Sequence, residues 1–309
     1  MQNIGDIANS TLNSKLVALR ERSKTRNTAV LSASTFGIKA PLFKTPFGLQ
    51  TRAASNPLAR CAVFAPVKQR MLYDRYITVG HFNGFPIEIK GEQLNQDDHD
   101  TLLQLIKMAE GVEYGVDFSV SVNSVLKGLN RNTWQEQRRQ LFQQVERLVS
   151  TTLRITASNG MRYIGHIIDD ACTPDDQEVL PFSRRNLTYR LNPKFAFLYQ
   201  NNQYTLVDFE KRLALKGRGS ELAKWLHLWI DSHAKQYSHK VETIREKCGS
   251  QVKELRNFRL KLKQALGLLQ EVGLISDWAI DDADLVHVTR NAARSQIKHL
   301  KKNKKMLSK

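Results

Sequence analysis

The sequence predicts an α+β fold, and three observations carry the prediction. One order of elements (helix, short strand, short helix, longer helix, two-stranded hairpin) can be traced twice along the chain. Apolar residues change from spacings of three and four to strict alternation where the helices should give way to strands. An Asn159-Gly160 dipeptide separates two β-type runs, the strongest short-range hairpin signal a sequence offers. At 309 residues the chain is long enough for about two domains, each with its own core.

The first 52 residues are rich in Ser, Thr, Asn and Lys and contain Gly37, Pro41, Pro46 and Gly48, which predicts a flexible arm with a short helix around residues 12–21. The folded part is expected to start near Asn56. Residues 98–110 place Leu102, Leu105, Ile106 and Ala109 on one helical face, with Asp97 as the N-cap. A strand over 118–122 and a short helix over 123–129 follow. The longer helix runs from Trp134 to Val149, with Trp134, Leu141, Val145 and Leu148 as its buried line. Residues 152–158 and 161–168 then form the hairpin. This is the order of a winged helix, with the hairpin as its wing. An acidic loop is expected over 169–178, and strands over 187–191 and 204–209 around a turn at Asn201-Asn202.

The order then recurs. Residues 221–233 predict a helix with Leu222, Trp225, Leu226 and Trp229 inward and Ser220 as its cap, and Tyr237-Ser238 corresponds to Phe118-Ser119. A short helix over 241–247 closes at Gly249, and a longer one over 252–272 buries Leu255, Phe258, Leu262, Leu266 and Leu269. Residues 278–280 and 285–288 make a second hairpin across 281–284. The expected division is a flexible basic arm (1–55), a first winged-helix domain (56–200), a second (201–290) and a basic tail (291–309).

The formal charge is +17, of which residues 1–52 carry +6 and residues 290–309 carry +8, leaving a nearly neutral body between basic ends. Such a charge points to a polyanionic partner or an acidic membrane surface. Cys61, Cys172 and Cys248 are far apart and show no CxxC pairing, so neither a disulfide framework nor a zinc finger is expected. No leader-like or membrane-spanning apolar run is present, which predicts a cytoplasmic protein that is not bound to membrane. Enzyme signatures are not found. Lys216-Gly217-Arg218-Gly219-Ser220 is a glycine turn before a helix and a poor phosphate loop, and no His-x-His pair occurs. His227 and His233 do not share a helical face, and Asp97, Asp98 and Asp100 read as capping and dipole partners. No catalytic residue, metal or cofactor is therefore assigned.

In a helix-turn-helix the second helix lies in the major groove, so its base readers are polar, outward and near its N-terminus. With Leu255, Phe258 and Leu262 inward, Lys253, Asn257, Lys261 and Gln264 point outward, Arg256 lies on the flank and Arg259 nearer the core edge. Arg and Lys can bridge guanine O6 and N7, and Asn can pair with adenine. The first long helix offers Gln135, Arg139 and Gln143, and its wing Arg154 and Arg162 for phosphates. The second wing carries Asp281, Asp282 and Asp284, which a phosphate would repel. Lys298, Lys301 and Lys302 in the tail suit backbone tracking. A rival within the same fold is a transcriptional repressor; a rival of another class is a divergent nuclease or primase.

Three stretches carry a resemblance to a known family: NPLARCAVF (56–64), IEIKGEQLNQDDHDTLLQLIKMA (87–109) and residues 204–280. The spacing of Gly91, Leu94, Gln96, Asp98 and Asp100 ahead of a helix, and the run from Trp225-Leu226-His227 through Ser232-His233 to Cys248-Gly249-Ser250, are its most specific parts. In these the chain resembles the TrfA-type plasmid replication initiators. The resemblance implies a protein that binds directly repeated origin sites (iterons) on double-stranded DNA, helps open adjacent AT-rich DNA, and recruits the host initiator, replicative helicase and sliding clamp. It further implies a monomer–dimer equilibrium that controls copy number, and a reader helix including Arg256 and Arg259. Lys39-Ala40-Pro41-Leu42-Phe43 faintly resembles the short peptides that bind sliding clamps, which makes Leu42 and Phe43 candidate clamp contacts; the alternative is that the pair docks on the protein's own body.

Overall fold

The computed structural model describes residue 43 and residues 47–156, 162–173, 186–199, 203–233 and 237–291. Leu42, the helix expected near 12–21, the Asn159-Gly160 turn, residues 174–178 of the acidic loop, the Asn201-Asn202 turn and the tail lysines Lys298, Lys301 and Lys302 lie outside these residues. The fold mixes helix and strand throughout.

The chain enters through β1 (Thr51–Ser55), which pairs antiparallel with β11 (Tyr204–Asp208), Thr51 opposite Asp208. A single turn, α1 (Asn56–Ala59), leads to β2 (Phe64–Ala65). A long hairpin follows, β3 (Leu72–Phe82) and β4 (Phe85–Glu92), reversing at Asn83 (φ 52°) and Gly84 (φ 85°). Both turn residues take the left-handed conformation that matches strand twist, which Asn-Gly tolerates best. The short β5 (Leu94–Asn95) pairs in parallel with β2 and opens α2 (Gln96–Met108).

The N-cap of α2 is Asn95, not Asp97. Its side chain accepts from the N–H groups of Asp97 and Asp98, and the Asp98 carboxylate accepts from the Asn95 N–H, completing a capping box. The expected apolar face is buried, and Leu103 on the far side is buried too, because α2 runs through the centre of the molecule. Then come β6 (Asp117–Ser121), α3 (Val122–Gly128) and α4 (Gln135–Ser150). Leu141, Val145 and Leu148 are buried as expected, but Trp134 is 73% exposed: it precedes the helix and points away from the core.

Strands β7 (Thr152–Thr156) and β8 (Arg162–Gly165) do form a hairpin, and it joins the β3–β4 pair in a four-stranded sheet ordered β3-β4-β7-β8. It is therefore not the counterpart of the second hairpin. That role falls to β9 (Ile168–Cys172) and β10 (Asn186–Leu191), the first of which occupies the start of the expected acidic loop. Strand β10 pairs with β6 and β9 in the order β6-β10-β9. The expected pairing of β10 with β11 around Asn201-Asn202 does not form: a 3₁₀ helix (Pro193–Leu198) separates them, and β11 goes to β1.

After α5 (Phe209–Ala214) comes α6 (Ser220–Asp231), capped by Gly219 in the left-handed conformation (φ 91°) and not by Ser220. Strand β12 (His239–Lys240), α7 (Val241–Lys247), α8 (Leu255–Glu271), β13 (Ile275–Ile280) and β14 (Leu285–Arg290) complete the chain. The last sheet is ordered β12-β14-β13, the same arrangement as β6-β10-β9: the strand after the first helix pairs with the final strand of the hairpin. The long helices match as well. Helix α4 buries Leu141, Gln144, Val145 and Leu148, and α8 buries Leu262, Ala265, Leu266 and Leu269, both at i, i+3, i+4, i+7.

Two large apolar cores result. One gathers buried residues between Phe43 and Phe209 together with Leu228 of α6, and the other those between Leu215 and Val286. Phe43 belongs to the first: its ring packs edge-on against Phe47 and Tyr204, each 5.0 Å away, so the Phe43 ring docks on the protein's own body.

A buried ionic network ties the two cores. Arg212 of α5, fully buried, donates to Asp100 of α2 (2.5 Å), to Gln96 (2.8 Å) and to the Lys224 carbonyl of α6 (2.6 Å). The Lys224 ammonium binds Asp100 at 2.7 Å and Asp97 at 3.1 Å. Asp98, also fully buried, receives Arg147 of α4 at 2.9 Å. The Asp97, Asp98 and Asp100 trio thus does more than cap a helix: it couples α2 to α4, α5 and α6. Trp225 adds a neutral tie, its indole donating to the Cys61 carbonyl at 3.0 Å.

Candidate nucleic-acid interface

Each long helix is braced against the short helix before it, as a reading helix must be if its outward side chains are to meet a ligand in fixed register. In the first half Arg138 of α4 donates to Asn123 of α3 (3.3 Å). In the second, Arg245 of α7 donates to the Lys253 carbonyl (2.7 Å), which pins the turn ahead of α8. Lys253 itself precedes the helix, which begins at Leu255.

The outward face of α8 exposes Arg256, Asn257, Lys261 and Gln264. Leu260 stands among them, 57% exposed. Arg259 sits at the helix edge and is held by Asp284 of the hairpin turn, with bonds of 2.9 and 2.5 Å. The hydrogen bonds and charge of Asp284 raise the Arg259 pKa, and the guanidinium in turn lowers that of Asp284. The second acid of that turn, Asp281, is also occupied: it accepts from the Ala283 and Leu285 N–H groups and faces His287. Two of the three acids at this tip are therefore employed in shaping it.

On α4, Gln135, Arg139 and Gln143 are exposed, and Arg139 is bonded to Glu136 (2.7 and 3.0 Å). Matching the buried spacings of α4 and α8 puts Gln135 at the position of Arg256 and Arg139 at that of Leu260. Residues of both helices line one cleft. Its volume is about 1210 Å³, and it is lined from α4 by Gln140, Gln143 and Arg147, and from α8 by Lys261 and Gln264.

Arg154 and Arg162 stand apart from this cleft, on the four-stranded sheet. Arg154 of β7 grips Glu88 of β4 at 2.7 and 2.5 Å and lies 4.0 Å over the Tyr76 ring, so it fastens the sheet. Their expected role as wing phosphate contacts rests on taking β7–β8 for the wing, which the sheet order does not support. Arg162 is exposed on β8. Among the described residues no cluster of His, Cys, Asp and Glu could hold a metal ion, and no helix is long and apolar enough to cross a membrane.

Sequence reasoning missed Glu221, which also lines the cleft. Burial pushes its carboxyl up to about 7; Asp97 and Asp100 add to the shift, and Lys224 and Arg212 oppose it. A carboxyl raised above its unfolded value weakens the fold as it ionises. The loss begins above the ordinary carboxylate range near pH 4.5 and is complete once pH passes about 7. Glu221→Gln should therefore raise stability at pH 8 by roughly 1–3 kcal/mol and leave it nearly unchanged at pH 4.5, as measured by urea unfolding at both. Equal effects at the two pH values would refute this.

Comparisons with known proteins agree with this architecture. The family described as TrfA protein matches residues 5–290. The plasmid replication initiator protein TrfA of Escherichia coli is 23% identical over 293 residues, which are 92% of this chain and 72% of that protein. Among solved structures, domains 2 and 3 of RctB superpose with a TM-score of 0.54 at 14% identity, over 78% of this chain and 99% of that one. A second structure of RctB domains 2–3 gives 0.50 at 12% identity, over 79% and 99%. The structural likeness concerns the fold; the family match spans nearly the whole sequence, and the chain belongs to the TrfA protein family.

Proposed function

We propose that this protein is a plasmid replication initiator that binds directly repeated sites in an origin as a double-stranded-DNA reader, without covalent chemistry. Each half is read as a winged-helix unit, β9–β10 and β13–β14 being the wings, with the boundary near residue 200 and basic segments at both ends. Helices α4 and α8 enter successive major grooves of one asymmetric site, about one turn apart. The observation that carries this reading is the pairing of α4 and α8, alike in buried spacing and both turning polar side chains toward one cleft. Family membership and the name of the TrfA relative support the origin as the target.

Arg256, Asn257 and Lys261 are the proposed base readers of α8, with Gln135 and Arg139 on α4. Arg259 contributes only after leaving Asp284. Lys298, Lys301 and Lys302 track the backbone beyond the site. Bound initiator then promotes opening of adjacent DNA and recruits the host initiator, helicase and sliding clamp, while self-association limits the active monomer.

Footprinting on overlapping fragments of the DNA that flanks its own gene is expected to reveal a repeated, non-palindromic protected site. On that site Arg256→Ala should weaken binding by about 1–3 kcal/mol, and by less on random duplex. An unchanged cognate-to-random ratio for Arg256→Ala, Asn257→Ala and Lys261→Ala alike would remove α8 as the reader. Replication of a test plasmid that depends on the protein and its flanking DNA separates an initiator from a repressor.

A further inference from the structure

The cleft between α4 and α8 is rimmed by two loops to which nothing above gives a role. One, residues 66–70, joins β2 to β3; the other, residues 215–219, joins α5 to α6 and contains the glycine turn Lys216-Gly217-Arg218-Gly219. Gly217 and Gly219 both have positive φ (85° and 91°), and a methyl group added at Gly219 would touch Gln264 Cβ at 3.4 Å, so this loop is seated directly on α8. From these loops Lys68 and Arg218 reach the cleft, both exposed and neither paired with an acid among the described residues.

The charge around them is one-sided. Lys261 adds a third cation to the walls, whereas Arg147 is held by Asp98, Asp97 is engaged by Lys224, and the Glu221 carboxyl is pushed up to about 7, mainly by burial. Gln69, Gln140, Gln143, Gln251 and Gln264 supply neutral amides that can donate to phosphate or sugar oxygens. The single aromatic ring in the lining, Phe258, is buried, so the walls offer unpaired bases no surface on which to stack. Behind the cleft, the Arg212, Asp100 and Lys224 network joins α5 and α6 to α2.

Geometry supplies the remaining step. When two helices enter successive major grooves from one side, the surface between them faces the intervening minor groove and the two backbones that border it, with one negative charge per ≈ 1.7 Å of duplex axis. We propose that the cleft seats this minor-groove segment, with Lys68 and Arg218 each holding a phosphate of a bordering backbone. The inference rests on the reading of α4 and α8 as paired readers, and it assigns the glycine turn a job in duplex binding.

The test uses the full chain and the protected fragment from its flanking DNA, probed in parallel by hydroxyl radicals at the sugars and by dimethyl sulfate at guanine N7 in the major groove. Wild-type protein should protect two major-groove tracts from methylation and the sugars between them from radicals. The Lys68→Ala/Arg218→Ala variant, at saturating protein, should keep the methylation protection and lose the central radical protection. Its affinity should fall alike on cognate and random duplex, and its log–log salt slope should flatten by about 1.8, or 0.9 for each phosphate contact. Lys68→Glu/Arg218→Glu should exaggerate each change. Central protection and salt slope unchanged in both variants would overturn the proposal while α4 and α8 stand as readers. Wild-type protein that protects the sugars without two flanking major-groove tracts would instead overturn the pairing of α4 and α8, and with it the minor-groove assignment.

Discussion

Replacing Arg212 with alanine is expected to cost about 3–5 kcal/mol of stability, because it strands a buried carboxylate. Arg212 is fully buried, and Asp100, its partner at 2.5 Å, is 1% exposed. Burial alone would push the Asp100 carboxyl up, but Arg212 and Lys224 outweigh it and hold the group down to about 2. A carboxyl held below its unfolded value stabilises the fold above that value and loses the contribution as pH falls through the folded one. Wild-type stability should therefore drop between about pH 4 and pH 2, and Arg212→Ala should show a weaker drop there. Arg212→Met with Asp100→Leu, which removes both charges, should recover much of the loss at neutral pH. Urea unfolding across this range checks all three. A double variant no more stable than Arg212→Ala would mean that the hydrogen bonds to Gln96 and the Lys224 carbonyl, and not the ion pair, are what the site supplies.

Trp225→Ala should be as damaging, at about 3–5 kcal/mol. The indole is 2% exposed, stacks on Trp229 with ring centroids 5.5 Å apart, and spends its one donor on the Cys61 carbonyl. Truncation opens a cavity in the second core and also frees a carbonyl that belongs to the first half. Trp225→Phe keeps most of the packing and loses the bond, so it should fall between wild type and alanine. If the halves unfold together, both variants shift a single transition in urea. Two separated transitions in wild-type protein would show that this tie and the ionic network are too weak to couple them.

What the sequence makes legible follows from how local each signal is. Helices α6, α7 and α8 and the β13–β14 hairpin are amphipathic segments joined by short turns, and Leu222, Trp225, Phe258, Leu262 and Leu266 are buried as their spacing implies. In the first half the Asn159-Gly160 signal indicates a hairpin but not its sheet. The deciding contact, β6 with β10, joins Ser121 to Asn186, a separation that no periodicity reports. The β3–β4 hairpin carries the same kind of signal at Asn83-Gly84, yet β3 is exposed or half-buried along most of its length and lacks clean alternation. Trp134 lies about two helical turns ahead of Leu141, a spacing that would place it on the buried face if the helix ran through both. The helix starts at Gln135 instead, and residue type alone cannot tell such a flanking ring from a core residue.

The candidate interface divides in the same way. Outward residues of α8 can be read from helical rotation once Phe258 and Leu262 face inward, and Arg256, Asn257 and Lys261 are exposed as expected. The partners of Arg154 and Arg259 could not be read, since Glu88 and Asp284 are distant in sequence and meet them only in the folded chain. Burial of Arg212 and Lys224 is equally hidden, because charged residues ordinarily face water.

The pairing of β1 with β11 sets the order in which the molecule can be completed during synthesis. Residues 51–55 emerge from the ribosome early, yet the strand that satisfies their backbone groups, residues 204–208, follows only after the whole of the first half has been made. Until then the nascent chain carries an unpaired strand whose four residues Arg52–Ser55 are destined for burial, together with the apolar floor of α2 beneath it. The last step of assembling the first half is thus also the first step of the second, and a ribosome that stalls before residue 204 holds an initiator with an open edge.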